Sequence, residues 1–212
     1  MGREFLDLFE DWADSYDDTV TGKDVEYQAV FEHYESILEE VASHSKGRVV
    51  EFGPGTGNLT KKLLEAGLEV IPFEPSPEMR AIGMQKLGEQ VTFRDGDFLD
   101  FSIEGGADSI VSSYAFHHLT DEEKGKAFGI YGKLLVQGGK IVFADTMFET
   151  EQHYQAAISL AMKKEYDNLA EDLKREYYTT LDVLRELLHE NGFSVRFKQV
   201  NTFVWIMEAT KQ

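Results

Sequence analysis

The chain of 212 residues contains no cysteine. That removes disulfides, a thiol nucleophile and every thiolate-based zinc or iron–sulfur site. Basic residues are scarce: 21 Lys and Arg stand against 39 Asp and Glu, a formal charge of −18. Such a field repels phosphate backbones and anionic lipid surfaces, so neither nucleic acid nor a membrane is an expected partner. No apolar run approaches the ~20 residues needed to span a bilayer, and none follows the N-terminal Met1 to Phe5, so a cytoplasmic protein is expected. Only 4 prolines occur, and no Pro/Gly linker, repeat or low-complexity tract interrupts the chain. A single domain over residues 1–212 is therefore expected.

What is present is 42% hydrophobic residues in two periodicities. Phe5, Leu8, Phe9, Trp12 and Tyr16 recur at helical spacing, and Tyr27, Val30, Phe31, Tyr34, Ile37, Leu38 and Val41 repeat it, predicting two amphipathic helices within residues 1–45. From Arg48 the pattern alternates: strands at 48–52, 69–73, 91–94, 108–114 and 140–144, with helices at 58–64, 77–87 and 121–135. Alternating β and α segments favour a parallel sheet wound on both faces. Residues 46–148 form this core, 149–191 read as a helical insertion or cap, and 192–212 as a terminal hairpin turned near Asn201-Thr202.

The sharpest local feature is Glu51-Phe52-Gly53-Pro54-Gly55-Thr56-Gly57, between the first buried strand and a helix. Its glycines let the backbone turn tightly and approach a ligand at the carboxyl edge of the sheet, where open α/β folds bind nucleotide-like molecules. Asn58 stands where both the dinucleotide fingerprint and the phosphate loop require glycine, which weakens pyrophosphate and triphosphate readings. Glu74, at the end of the second predicted strand, suits the two hydroxyls of a ribose. Met79 offers a thioether to an adenine face, and Asp97 an acceptor to an adenine amino group. Taken singly, Glu74 reads as an exposed strand-end carboxylate, Met79 as core filler and Asp97 as a turn residue; the consistent offsets favour an adenosine-shaped pocket.

At these residues the chain resembles the class I S-adenosylmethionine-dependent methyltransferases. Glu51-x-Gly53-x-Gly55-x-Gly57 is similar to their first motif, Glu74-Pro75-Ser76-Pro77-Glu78-Met79 to the one after the second strand, and Asp95-Gly96-Asp97-Phe98 to the adenine motif. Gln137-Gly138-Gly139-Lys140 is similar to the turn before their fifth strand. The run Ser112-Ser113-Tyr114-Ala115-Phe116-His117-His118-Leu119-Thr120 points to the YrrT-like group of small bacterial methyltransferases. The resemblance covers residues 30–212 and implies a Rossmann-like, mostly parallel seven-stranded sheet with an antiparallel last strand, helices on both faces and an N-terminal helical cap. It departs from the family at Gln137, where proline is usual, at Glu74, where aspartate is commoner, and at Pro54, where a small residue is usual.

The resemblance implies S-adenosyl-L-methionine as cofactor, held by Glu51, Gly53, Gly55, Gly57, Glu74, Met79, Asp97, Phe98 and Ser113, with Tyr16 over its methionine end. Core packing of Tyr16 on the first helix is the competing reading. Transfer to a small-molecule acceptor is an in-line displacement that needs positioning above all. His117 or His118 is a candidate base for an acceptor that must lose a proton. The competing reading makes one a helix-start residue and turns the other to solvent, since adjacent side chains of a strand point to opposite faces. No metal site is expected, because His33, His44, His153 and His189 are scattered. Tyr154, Tyr166, Tyr177, Tyr178, Met147, Phe148 and Met162 either cap an acceptor pocket or bury a homodimer face. Two other functions stay open: a non-catalytic cofactor binder and, on fold alone, a nicotinamide-dependent oxidoreductase.

Overall fold

Strand β1 (Arg48–Phe52) is an almost unbroken buried run, as expected of a central strand covered on both faces. In the computed structural model, which describes residue 17 and residues 19–212 and only the backbone of Thr21, it lies parallel between β2 (Glu69–Phe73) and β3 (Ala107–Ser113). Strand β4 (Leu135–Thr146) continues parallel to β3. The hairpin of β5 (Phe193–Gln199) and β6 (Val204–Lys211) adds on antiparallel through β6, giving the order β2-β1-β3-β4-β6-β5. Because β2 and β3 leave β1 in opposite directions, the sheet has its switch point at the carboxyl ends of β1 and β3, where a crevice opens.

Among the described residues the sheet has six strands instead of the expected seven. Residues 91–94 contribute a single parallel bridge, Phe73 to Arg94, in which Arg94 N donates to Pro72 O at 2.9 Å and Glu74 N to Arg94 O at 3.0 Å. The next rung toward Val91 needs an N–H from residue 72, and proline has none.

Helix α1 (Tyr34–His44) starts later than the apolar spacing predicts. His33 adopts φ +68°, a left-handed conformation that ends the preceding turns and prevents one helix from running through. Tyr27 and Val30 are buried all the same, and Phe31 N donates to Tyr27 O at 3.0 Å, so single helical turns without a continuous helix produced the periodicity. The first expected helix, Phe5 to Tyr16, lies outside the described residues.

Helix α2 (Asn58–Glu65) joins β1 to β2, and α3 (Pro77–Leu87) follows β2, with Pro77 in its first turn and Ser76 Oγ accepting the Met79 N–H at 3.2 Å. Helix α4 (Asp121–Leu134) opens on a capping box between Thr120 and Glu123. The helical stretch near 150–190 divides into α5 (Glu151–Lys163), α6 (Asp167–Arg175) and α7 (Leu181–Glu190). Alternation along β1 feeds two cores: Val49 joins α1 and α2 on one face, while Val50 and Phe52 join the Phe98, Phe116, Tyr131 and Phe143 cluster on the other. Asn201 holds the hairpin turn, its Oδ1 accepting the N–H groups of Phe203 and Val204 at 2.9 and 2.7 Å. No described helix is long and apolar enough to cross a membrane.

Candidate active site

The glycine turn leaves β1 directly at the switch point. Gly53 has φ +62°, and a Cβ there would come within 2.7 Å of Ala115 Cβ, so glycine is required both for conformation and for the approach of the loop after β3. Gly55 has φ +56°, and its missing Cβ would meet no atom of the described residues within 4 Å, which leaves space above the turn among them. Gly57, at φ +89°, starts α2.

Two buried carboxylates underlie this turn. Glu51 is fully buried; its Oε2 accepts from Thr60 Oγ1 at 2.7 Å, while Oε1 has no partner among the described residues. Burial pushes its pKa up to about 8, and the nearby Glu74 charge adds to the effect. Glu74 places Oε2 on the Gly55 N–H and Oε1 on the Ser76 N–H, both at 2.9 Å. Burial raises its pKa to about 7 against the pull of those hydrogen bonds. Each Glu74 oxygen accepts one backbone bond and retains a second lone pair.

Met79 is buried at the start of α3. Asp97 is buried too, its Oδ1 accepting the N–H groups of Leu99 and Asp100 at 2.9 Å each. The Phe98 ring belongs to the apolar core, 5.4 Å from Phe52 and 5.3 Å from Phe116 between centroids, so only its backbone is left to meet a ligand. Ser113 ends β3 half-buried. Tyr16 lies outside the described residues.

Its neighbour Asp17 was not anticipated. Asp17 Oδ1 accepts from Thr56 Oγ1 at 2.8 Å and Asn58 Nδ2 at 3.0 Å, and Oδ2 pairs with Lys86 Nζ at 2.7 Å. Burial opposes ionisation of Asp17, but bonds from Lys86, Asn58 and Thr56 outweigh it and lower its pKa. Asn58, which breaks the dinucleotide fingerprint, here ties the segment before α1 to the glycine turn.

After β3, Tyr114 takes φ +53° and a 3₁₀ turn carries Phe116, His117 and His118. On such a turn, unlike a strand, successive side chains are about 120° apart. The two imidazoles accordingly sit 4.3 Å apart, with His118 buried and His117 only 11% exposed; neither is a solvent-facing residue. Asp145, on β4, accepts the His117 N–H at 3.0 Å and lies 2.6 Å from Nδ1. Nε2 stands 3.4 Å from Glu176 Oε2, which accepts the Tyr178 hydroxyl at 2.5 Å, and the Tyr178 ring stacks on His117 at 5.0 Å. Burial works against a charged His117, yet Asp145 and Glu176 prevail and raise its pKa, whereas burial holds His118 well below the ordinary value.

Sequence reasoning missed Asp145 and Glu176, and read Tyr178 only as part of a cap or dimer face. The one signal for Asp145 was its place near the carboxyl end of a strand; Glu176 follows α6 and had none. Of the residues read as a cap or dimer face, Met147 and Phe148 are buried, and Phe148 stacks on Tyr154 at 4.7 Å. Met162 and Tyr177 are instead exposed, at 55% and 39%.

Residues 49–139 match the family model described as a methyltransferase domain. An uncharacterized methyltransferase of Geobacillus sp. (strain WCH70) is 59% identical over 213 residues, covering all of both chains. Another, of Bacillus cytotoxicus, is 53% identical over 212 residues, again with full coverage of both. Among solved structures, magnesium protoporphyrin IX methyltransferase from Synechocystis PCC 6803 with bound SAM is similar at TM-score 0.68 and 17% identity, over 98% of this chain and 97% of that one. The DhpI–SAH complex is similar at TM-score 0.69 and 19% identity, over 96% and 93%. The likenesses to solved structures carry the fold; the full-length relatives carry the family, and the chain belongs to the methyltransferase family of these bacterial relatives.

Proposed function

We propose that the protein transfers a methyl group from S-adenosyl-L-methionine to a small-molecule acceptor. The observation that carries the reading is Glu51 Oε1, a buried carboxylate oxygen without a partner among the described residues, beneath a glycine turn with open space above Gly55. A ligand bearing an ammonium group supplies what this oxygen lacks. The cradle therefore fits an amino-acid nucleoside. Glu51 and the backbone of Gly53, Gly55 and Gly57 would hold the amino-acid end, with Ser113 and Tyr16 beside it. Glu74 would take the ribose, and Met79, Asp97 and the Phe98 backbone the adenine.

When bound, the cofactor supplies an electrophilic methyl carbon; the chain supplies position. His117 and His118 stand at the same edge of the sheet. His117, oriented by Asp145, is the group placed to act on the acceptor's proton, while His118 stays neutral and buried. Insertion of β6 between β4 and β5 supports reading residues 1–212 as one domain, because the terminal hairpin completes the core sheet. The net charge supports a small acceptor over nucleic acid.

Titration calorimetry with S-adenosylhomocysteine tests the cofactor part: one saturable site is expected, and no heat at millimolar ligand ends the reading. An acceptor screen following S-adenosylhomocysteine release then separates a transferase from a protein that only binds.

A further inference from the structure

We propose that His117, His118 and Glu176 form a binding site for a divalent transition-metal ion, with Zn²⁺ the best match to their chemistry. One ligand atom from each of the three residues lies within 4.8 Å of the others. The fold creates this group from sequence neighbours on a 3₁₀ turn and a carboxylate from the segment after α6, which the scatter of the other histidines concealed.

The spacing suits an ion. His117 Nε2 and Glu176 Oε2 are 3.4 Å apart. Two ligands bound at ~2.0–2.2 Å to a tetrahedral centre stand about 3.4 Å from each other.

Both of these ligands have outer partners of the kind metal sites use. Asp145 Oδ1 lies 2.6 Å from His117 Nδ1 and keeps a ring proton there, so that a metal ion displacing the proton from Nε2 meets that lone pair beside Glu176. The other Asp145 oxygen accepts the His117 backbone N–H at 3.0 Å and fixes the turn. Tyr178 donates to Glu176 Oε2 at 2.5 Å and stacks on the His117 ring, holding ligand and imidazole in one orientation.

Charge points the same way. Asp145 and Glu176 bring two carboxylates to one imidazole. The nearest buried cation, Lys124, spends its Nζ on the carbonyls of Leu119 and Tyr177 at 2.5 and 2.7 Å and on Asp121 at 3.2 Å. A divalent cation balances the two carboxylates, and two imidazoles with one carboxylate are ligands zinc favours.

Three protein ligands leave a fourth position on a tetrahedral ion. With the ion in place His117 is a ligand and no longer the base: an acceptor hydroxyl or thiol bound at the fourth position becomes more acidic, its X–H bond breaks, the proton passes to water and the lone pair stays on the acceptor. This last consequence rests on the methyl-transfer reading, whereas the site itself does not.

The test uses the tag-free, chelator-treated full chain, titrated with Co²⁺ and then Zn²⁺. Expected are one equivalent of Co²⁺ with visible tetrahedral d–d bands, displaced by Zn²⁺, and a zinc dissociation constant in the micromolar range or tighter. Glu176→Gln and His118→Gln should each weaken zinc roughly tenfold or more, and so should Asp145→Asn through the outer partner. His153→Ala, on the exposed side of α5, serves as the folded control and should leave zinc affinity unchanged. Absence of the Co²⁺ bands and of zinc heat, or equal affinity in wild type, Glu176→Gln and His118→Gln, overturns the proposal. S-adenosylhomocysteine is titrated into the same preparations. Its binding without zinc binding removes the metal site alone, and zinc binding without it removes the methyl-transfer reading alone.

Discussion

Glu74 clasps Gly55 across the turn, accepting its N–H at 2.9 Å while the other carboxylate oxygen holds Ser76 at the same distance. One side chain thus fixes both the glycine turn and the start of α3. Glu74→Ala removes two hydrogen bonds to a carboxylate, each worth ~1.5–3 kcal/mol when the acceptor is charged. Affinity for S-adenosylhomocysteine should fall at least about tenfold, as read by calorimetry. An unchanged affinity would place the ribose elsewhere.

Glu51 and Glu74 make the ligand-free protein sensitive to pH in a stated direction. Their pKa values in the fold, about 8 and about 7, lie above the ordinary value of 4.5. A raised carboxylate contributes stability that is complete below its unfolded pKa and is lost as pH rises through the folded one. The melting temperature of the ligand-free chain should therefore decline between about pH 5 and 8, and Glu51→Gln should flatten that decline. An ammonium-bearing ligand that ionises Glu51 must expel a proton near neutral pH. Calorimetry in two buffers of different ionisation enthalpy should show that release in wild type and its loss in Glu51→Gln. Equal proton release in both would detach Glu51 from the ligand.

The parts of this molecule that could be read from sequence are those set by neighbours in the chain. The run from Arg48 to Phe52, the glycines that follow and Pro77 behind its Ser76 cap each act over a few residues, and they place the cofactor crevice. Failures arise where a distant group decides. Pro72 ends a strand that belongs to residues 91–94, because the missing N–H is felt across a rung of the sheet. His33 shortens a helix whose apolar spacing is intact. The surroundings of His117 come from residue 145, beyond α4, and from residues 176 and 178, beyond α4, α5 and α6, and no local pattern announces that they meet.

Asp17 and Lys86 should be energetically coupled. Their ion pair at 2.7 Å is half open to solvent, with the side chains 46% and 32% exposed, so the direct term is modest, on the order of 1 kcal/mol after screening. A double-mutant cycle with Asp17→Ala and Lys86→Ala should recover that coupling in thermal stability. Asp17 accepts from Thr56 and Asn58, and Lys86 Nζ donates to Asn58 Oδ1 at 2.7 Å and to Thr56 Oγ1 at 3.3 Å, so loss of either should speed S-adenosylhomocysteine dissociation. Dissociation rates unchanged from wild type in both single variants would reduce Asp17 and Lys86 to a surface ion pair.

Tyr131 connects the apolar core to the Asp97–Phe98 loop proposed above to meet the adenine. It is fully buried on α4, its ring stacks on Phe52 at 5.4 Å, and its hydroxyl donates to the Phe98 carbonyl at 3.0 Å. Tyr131→Phe keeps the ring and the packing but leaves that carbonyl without its donor, a loss of about 1–2 kcal/mol. For a chain of this length each kilocalorie corresponds to roughly 2–4 °C of melting temperature. If the bond serves only the core, stability should fall and S-adenosylhomocysteine affinity should stay constant. The geometry argues otherwise, because Phe98 directly follows Asp97, whose Oδ1 is already bound to the Leu99 and Asp100 N–H groups of the same loop. A carbonyl released beside that tight turn lets the whole Asp97–Asp100 segment shift. Tyr131→Phe should therefore lower both melting temperature and ligand affinity, and a stability loss without an affinity loss would uncouple this loop from the ligand.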